Sequence, residues 1–154
     1  MKFRLWKPMR LAFSTLSLVT VLASCAAVSM KESITTKDAP AAIGPYSQAV
    51  KVGSLLFLSG QISIDPKTNQ MNSGSIEEQT KQALENLDAV LKASGMSMEN
   101  VVSTTVFLKD LNDFGKMNAV YGTYFKEKPP ARATVQAARL PRDALVEIAA
   151  IASK

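Results

Sequence analysis

The apolar positions of the chain change period several times, and each change predicts a new element. Residues 54–64 (SLLFLSGQISI) form an apolar run that follows a looser alternation over residues 48–52. Gly53 lies between these two segments, so together they predict a β-hairpin. A polar segment that starts with Asp65 and Pro66 then predicts a loop.

A helical pattern begins at Ser75. Ser75 and Glu78 fit a capping box, and Gly95 is typical of a stop after a helix that ends at about residue 94. Apolar residues recur at helical spacing in this segment and predict its buried side: Ala83, Leu84, Leu87, Val90 and Leu91.

The second half of the chain predicts strand, helix, strand and strand. Residues 101–108 (VVSTTVFL) are rich in β-branched side chains. A helix is predicted from about residue 111 to residue 125, and two strands over residues 133–138 and 145–152. The resulting order, β-β-α-β-α-β-β, indicates a single α+β domain with one sheet and two helices packed on one of its faces.

The first thirty residues predict an export signal. MKFRLWKPMR is positively charged, and LAFSTLSLVTVLA is an apolar segment of 13 residues, whereas a membrane-spanning helix needs about 20. The segment ends in Leu22-Ala23-Ser24-Cys25, which resembles the bacterial lipobox. The predicted organisation is a signal peptide over residues 1–24, a short tether over 25–32 and one domain over 33–154.

Lipidation of Cys25 would anchor the domain at the cell envelope, on the periplasmic side in a Gram-negative host, because two or more acyl chains bind a membrane stably. Two alternatives stay open. The signal could be an ordinary one in which Cys25 occurs by chance. Met30 could also be the true start, which would make the chain a cytoplasmic protein.

The charge of the chain is concentrated in this signal. Of 18 basic residues, four lie in residues 1–24, which contain none of the 13 acidic residues; the formal net charge of +5 therefore falls to +1 for the remainder. A nearly neutral domain argues against a phosphate-binding surface and against nucleic acid as the main partner. The chain has no histidine and one cysteine, which excludes Ser-His-Asp and Cys-His triads and most zinc sites.

Catalysis must therefore depend on other residues, and Arg132 and Glu147 are the first candidates. Both lie among apolar strand residues. An arginine there could form an internal salt bridge, extend its head group to the surface, or be available for an anion. Its planar guanidinium can donate two parallel hydrogen bonds to a carboxylate. Glu147 could simply face solvent, but in a dry site a glutamate can transfer protons near neutral pH.

Three polar residues are weaker candidates. By default Tyr46 is a half-buried aromatic residue, Ser59 a hydroxyl at a strand end and Asn118 part of a solvated helix face. Glycines near the first two, Gly44 and Gly60, could allow tight turns or close backbone approach.

The segments APAAIGPYSQAV, LFLSGQI, TTVFLKDLNDFGKMNAVY and PPARATVQAARLPRDALVEIAAIA resemble the RidA/YjgF/YER057c/UK114 family of imine deaminases over residues 34–152. The resemblance implies a chorismate-mutase-like α+β fold and a homotrimer with sites in clefts between neighbouring subunits. It also implies hydrolysis of enamines and imines, such as 2-aminoacrylate and 2-iminopropanoate, to 2-keto acids and ammonia. No cofactor or metal is implied.

The resemblance also assigns roles to individual residues. Arg132 would hold the substrate carboxylate, and Glu147 would position water and assist proton transfer. Tyr46, Ser59 and Asn118 would line the pocket. Thr134 takes the place where some members have cysteine, so thiol chemistry at that position is not expected here.

Two other functions remain as alternatives. A trimer on this fold could bind small molecules or act as a chaperone without catalysis, since a fold does not determine a function. Some relatives are reported to cleave RNA and inhibit translation. The predicted export, the net charge of +1 and the lack of clustered basic and aromatic residues weigh against that activity.

Overall fold

The computed structural model describes residues 30–154. The predicted signal peptide, its lipobox with Cys25 and most of the tether lie outside these residues. Among the helices that are described, none is both long and apolar enough to span a bilayer.

Six strands form one mixed sheet. In chain order they are β1 (Glu32–Ile34), β2 (Ala49–Val52), β3 (Leu55–Gln61), β4 (Val101–Leu108), β5 (Ala131–Gln136) and β6 (Val146–Ser153). Their order across the sheet is β1-β2-β3-β6-β4-β5, and only β4 and β5 pair in parallel. A parallel pair needs a crossover connection, and the second helix lies in it.

Two helices, α1 (Ile76–Ala93) and α2 (Phe114–Tyr124), pack on one face of this sheet. The Glu78 N–H donates to Ser75 Oγ over 3.3 Å and the Ser75 N–H donates to Glu78 Oε2 over 2.8 Å, which confirms the predicted capping box. Gly95 follows the helix with a φ of 74°, as expected for a glycine that ends a helix. The five apolar residues predicted for the inner side of α1 are each at most 1% exposed.

Three elements differ from the prediction in ways that bear on the site. β1 is not predicted by any pattern; it begins at Glu32, the last residue of the predicted tether, and forms by pairing with β2. The second helix begins at Phe114 because Leu111–Asp113 forms a short 3₁₀ turn, whose start is capped by the Asp110 carboxylate. β5 begins and ends two residues earlier than predicted, which places Arg132 inside the strand, in register with β4.

The alternation of side chains gives the sheet a buried face and an open face. Leu56 of β3 and Val106 of β4 face the helices and are fully buried. On the opposite face, Leu55, Phe57 and Val135 are 39%, 44% and 45% exposed. A row of exposed apolar side chains on one sheet face is typical of a surface that another chain covers.

The Gln48 side chain, directly before β2, forms hydrogen bonds with the segment of residues 36–40. Its Nε2 donates to the carbonyl oxygens of Thr36, Ala39 and Pro40 over 3.1, 3.2 and 2.7 Å. Its Oε1 accepts from the Thr36 N–H over 2.6 Å. The side chain is only 3% exposed, so one amide satisfies four backbone groups that would otherwise lack partners.

Replacement of Gln48 by leucine should lower the free energy of unfolding by about 2–4 kcal/mol, because buried backbone groups lose their hydrogen bonds. The matched control is Gln136→Leu. Gln136 is exposed and accepts one bond, from the Leu111 N–H, so this change should cost less than about 1 kcal/mol. Urea denaturation at equal protomer concentration measures both values, and equal losses would contradict the role given to Gln48.

Candidate active site

Arg132 and Glu147 lie on opposite faces of the sheet. Arg132 of β5 is the register partner of Thr104 on β4, and Glu147 of β6 is the partner of Phe107 on the same strand. Thr104 faces the helices and is 2% exposed. Phe107 comes three residues later, so the alternation turns it to the open face. A single protomer therefore does not bring the two charged side chains into one pocket.

Glu147 lies in a cavity of about 370 Å³ at the open face, which we call the Glu147 pocket. Tyr46, Ser59 and Gly60 also line it. The structure therefore brings together three of the predicted site residues: Glu147, Tyr46 and Ser59. The remaining wall is largely apolar and includes Pro40, Ala41, Ile43, Ile62, Ile64 and Pro141.

Two hydrogen bonds shape the mouth of the Glu147 pocket. The Ser59 hydroxyl donates to the Ser47 carbonyl over 2.7 Å, which ties β3 to the loop before β2. The Tyr46 hydroxyl accepts from the Ile43 N–H over 3.3 Å, while half of the tyrosine remains exposed. Ser59 and Tyr46 are thus held in place, and Tyr46 presents its ring toward the cavity opening.

The carboxyl group of Glu147 is partly withdrawn from water. This burial raises its pKa above the ordinary value of 4.5, because the charged form loses hydration. Gly60 leaves the necessary room: a Cβ at that position would lie 2.8 Å from Glu147 Cδ and would contact Oε1 more closely still. Gly60 thus permits the backbone of β3 and the Glu147 side chain to approach each other closely.

Arg132 lies on the helix face, beside a second cavity of about 330 Å³. Asn118 of α2 also lines this cavity, which we call the Arg132 pocket. Thr134 is two residues further along β5 and therefore points to the same side. The carbon atom Cζ of Arg132 is 4.5 Å from the ring centre of Tyr121 and 5.6 Å from that of Phe114.

Arg132 has no acidic partner within the described part of the chain. The three ion pairs found there join Lys81 to Glu85, Lys92 to Asp88 and Arg139 to Asp143. The guanidinium can therefore accept an anion from outside the protomer. Within residues 30–154, no three metal-binding side chains lie close enough together to hold an ion.

Sequence reasoning missed two contributors. Gly60 is recognised in the sequence only as a possible point of close approach, and its partner, Glu147, is 87 positions away, beyond any local pattern. Tyr121 lies within the second predicted helix, and its contact with Arg132 depends on how α2 packs over β5. No signal in a single sequence separates such an aromatic residue from ordinary core packing.

Comparisons with known proteins give a consistent result. The model of the endoribonuclease L-PSP family matches residues 36–154. A RutC family protein of Pyrococcus horikoshii is 57% identical over 125 residues, which cover 81% of this chain and 99% of that protein. The mouse protein named 2-iminobutanoate/2-iminopropanoate deaminase is 53% identical over 123 residues, 80% of this chain and 91% of that protein.

Solved structures share the fold. A putative endoribonuclease of Thermotoga maritima superimposes with a TM-score of 0.80 at 51% identity, over 81% of this chain and 98% of that one. The crystal structure of Escherichia coli TdcF with bound serine gives a TM-score of 0.77 at 43% identity, over 80% and 98% of the two chains.

Replacement of Gly60 by alanine should displace the Glu147 carboxylate and leave the fold intact, since the side chain can rotate away from the added methyl group. Once moved toward solvent, Glu147 regains hydration, so its pKa should return toward the ordinary value. A carboxyl-labelled NMR titration measures this change.

The control is Gly115→Ala, because a Cβ at Gly115 of α2 meets nothing within 4 Å. This variant should leave the Glu147 pKa unchanged and preserve the circular dichroism spectrum. An unchanged pKa in the Gly60 variant would contradict the proposed steric relation.

Proposed function

Since the chain belongs to the endoribonuclease L-PSP/RidA family, we propose that it hydrolyses carboxylate-bearing imines and enamines to 2-keto acids and ammonia. The proposed substrates include 2-iminopropanoate and 2-aminoacrylate. The observation that carries the proposal is that, within residues 30–154, the Arg132 guanidinium has no acidic partner and the Glu147 carboxyl group is partly buried, each beside its own cavity. The names of the mouse and rat relatives, at 53% and 51% identity, support this reaction class.

Arg132 would bind the substrate carboxylate. Its fork can donate two parallel hydrogen bonds to the two carboxylate oxygens, which fixes both the position and the orientation of a small acid. TdcF, whose structure contains bound serine, is a relative that accommodates an amino acid of this size. Asn118 and Thr134, on the same face as Arg132, would supply further hydrogen bonds.

Glu147 would manage the protons of the reaction. Because burial raises its pKa, Glu147 holds a proton more readily than an exposed carboxyl group, and we propose that it accepts a proton from water and returns one to nitrogen within a single turnover. Tyr46 and Ser59 would close the same pocket around the substrate. A chain without histidine can thus carry out acid–base chemistry with a carboxyl group in a partly dry site.

The reaction balances without a cofactor. 2-Aminoacrylate first takes a proton on its methylene carbon and becomes the iminium form of 2-iminopropanoate. Water then adds to the iminium carbon, a C–O bond forms, and the π electrons move to nitrogen while Glu147 removes a proton from the water. Glu147 next protonates the amine. The C–N bond breaks and ammonia leaves, while the hydroxyl oxygen forms the C=O bond and gives its proton to water, which leaves the 2-keto acid. Binding to Arg132 would orient the substrate, and this orientation would supply much of the rate enhancement that hydrolysis of the electrophilic iminium carbon requires.

Two protomers would have to build the complete site, because one protomer carries its halves on opposite faces. In the proposed homotrimer, the Arg132 pocket of one protomer meets the Glu147 pocket of its neighbour. The exposed apolar row of Leu55, Phe57 and Val135 would be covered in the same assembly. Cyclic symmetry would repeat the same contact and give three equivalent sites.

A mixing experiment tests the activity and the shared site together. 2-Aminoacrylate is generated in situ, and surviving imine is trapped with semicarbazide. Wild type should suppress trapping, and Arg132→Ala and Glu147→Ala should each lose at least about 100-fold in rate. Trimers refolded from an equal mixture of the two variants should regain about one quarter of the wild-type activity, because one interface in four receives an intact arginine and an intact glutamate.

The outcomes separate the alternatives. If wild type leaves trapping unchanged, the enzyme proposal fails and a non-catalytic binding or chaperone-like trimer becomes the better account. If the mixture stays inactive while wild type treated in the same way recovers, the site is not shared between protomers. Cleavage of an unstructured RNA by wild type, lost in Arg132→Ala, would favour nuclease activity instead.

Export and lipidation at Cys25 form a separate part of the proposal. Full-length protein expressed in a Gram-negative host should appear in the membrane fraction, and Cys25→Ala should release it, because the acyl chains need the thiol. The control is a chain that starts at Met30, which should remain in the cytoplasm. A full-length wild-type protein found only in the cytoplasm would contradict lipid anchoring and favour Met30 as the start.

A further inference from the structure

We infer that Tyr121 is a positioning residue that holds the Arg132 guanidinium through its ring face and leaves the arginine's N–H donors available for a carboxylate. The inference rests on the proposed function for the identity of the substrate. It concerns how the anion site is prepared before anything binds, and it assigns to Tyr121, which lines the Arg132 pocket, the task of holding the arginine.

The Tyr121 ring is held from two sides. Its hydroxyl and the Thr104 hydroxyl share a hydrogen bond of 2.7 Å in the buried layer between α2 and β4. The ring of Phe125, one helical turn later, lies 4.6 Å away with an interplanar angle of 37°. Tyr121 is only 5% exposed, so the ring has little freedom to turn.

This fixed ring lies directly beside Arg132. Thr104, which bonds the Tyr121 hydroxyl, is the register partner of Arg132 across β4 and β5. The same strand pairing therefore sets the positions of both the ring and the arginine. The distance of 4.5 Å from Cζ of Arg132 to the ring centre is within the range of a cation–π contact, and the Phe114 ring adds a second contact at 5.6 Å.

An aromatic face suits this task better than an acid. Arg139 shows the alternative in the same chain: its Nε and Nη2 donate to the two carboxylate oxygens of Asp143 over 2.8 and 3.0 Å, which occupies the fork. A ring face attracts the cation but offers no oxygen that competes with a substrate carboxylate. The Tyr121 hydroxyl forms its hydrogen bond of 2.7 Å with Thr104.

The state of the Tyr121 hydroxyl also favours this arrangement. Burial raises its pKa above the ordinary value of 10, and this effect outweighs the opposing influences of the Thr104 hydrogen bond and of the charge and hydrogen bonding of Arg132. The phenol therefore stays neutral at physiological pH. It does not become an anion that would pair with Arg132 and close the site.

Three variants test the inference through substrate affinity. Tyr121→Leu should raise the KM for 2-iminopropanoate and weaken the binding of 2-oxobutanoate by about 3- to 30-fold, with a smaller change in kcat. Tyr121→Phe keeps the ring and should remain within about threefold of wild type in both quantities. Met117→Ala is the control: it removes another fully buried side chain from α2, and KM should not change. The methyl ester of 2-oxobutanoate, which lacks the anion, should bind equally weakly to all proteins.

Equal KM values and equal 2-oxobutanoate affinities for Tyr121→Leu and wild type would overturn the inference while the deaminase proposal stands. If wild type has no deaminase activity, calorimetric binding of 2-oxobutanoate still decides the role of Tyr121 by the same comparison. If wild type binds no 2-oxobutanoate, both the inference and the carboxylate site are wrong.

Discussion

The period of two along β-strands is the constraint on which the candidate site depends. β4 pairs with β5 on one side and with β6 on the other, and the partners of Arg132 and Glu147 on β4 are three residues apart. An odd separation places the two side chains on opposite faces. A shift of β6 by one residue would reverse this relation, but it would also move the buried apolar side chains of β6, such as Val146 and Ile148, to the open face. The core therefore fixes the face on which Glu147 lies.

The location of Arg132 and Glu147 on opposite faces explains two features that would otherwise only destabilise the protomer. In the described part of one chain, a partly buried guanidinium without an acidic partner and a partly dehydrated carboxyl group both cost free energy. If they shared a face and could meet, they would form a closed pair like Arg139 with Asp143, and the fork would be occupied. In the proposed trimer, the frameworks of two protomers set the distance between them, so a substrate can lie in the gap.

The sequence predicts most of the fold, because its main signals are local. The capping box at Ser75, the apolar stripe of α1 and the β-branched run of β4 each lie within one segment. β1 escapes prediction because three residues carry no measurable alternation and take their conformation from β2. The family resemblance, confirmed by the match over residues 36–154, selects residues that the structure does place beside two cavities. Which face each residue occupies depends on register across β4, which no local pattern contains.

The pKa of Glu147 in the working assembly would follow from two opposing effects. Burial within one protomer raises it, whereas a guanidinium from a neighbour would lower it by stabilising the charged form. A cation close to the carboxylate attracts its charged form directly, and this attraction is stronger in a partly dry site than in water. A substrate carboxylate bound to Arg132 cancels much of that charge. In the shared site, binding would therefore return Glu147 toward the raised pKa that burial alone gives it, at the step where protons must move.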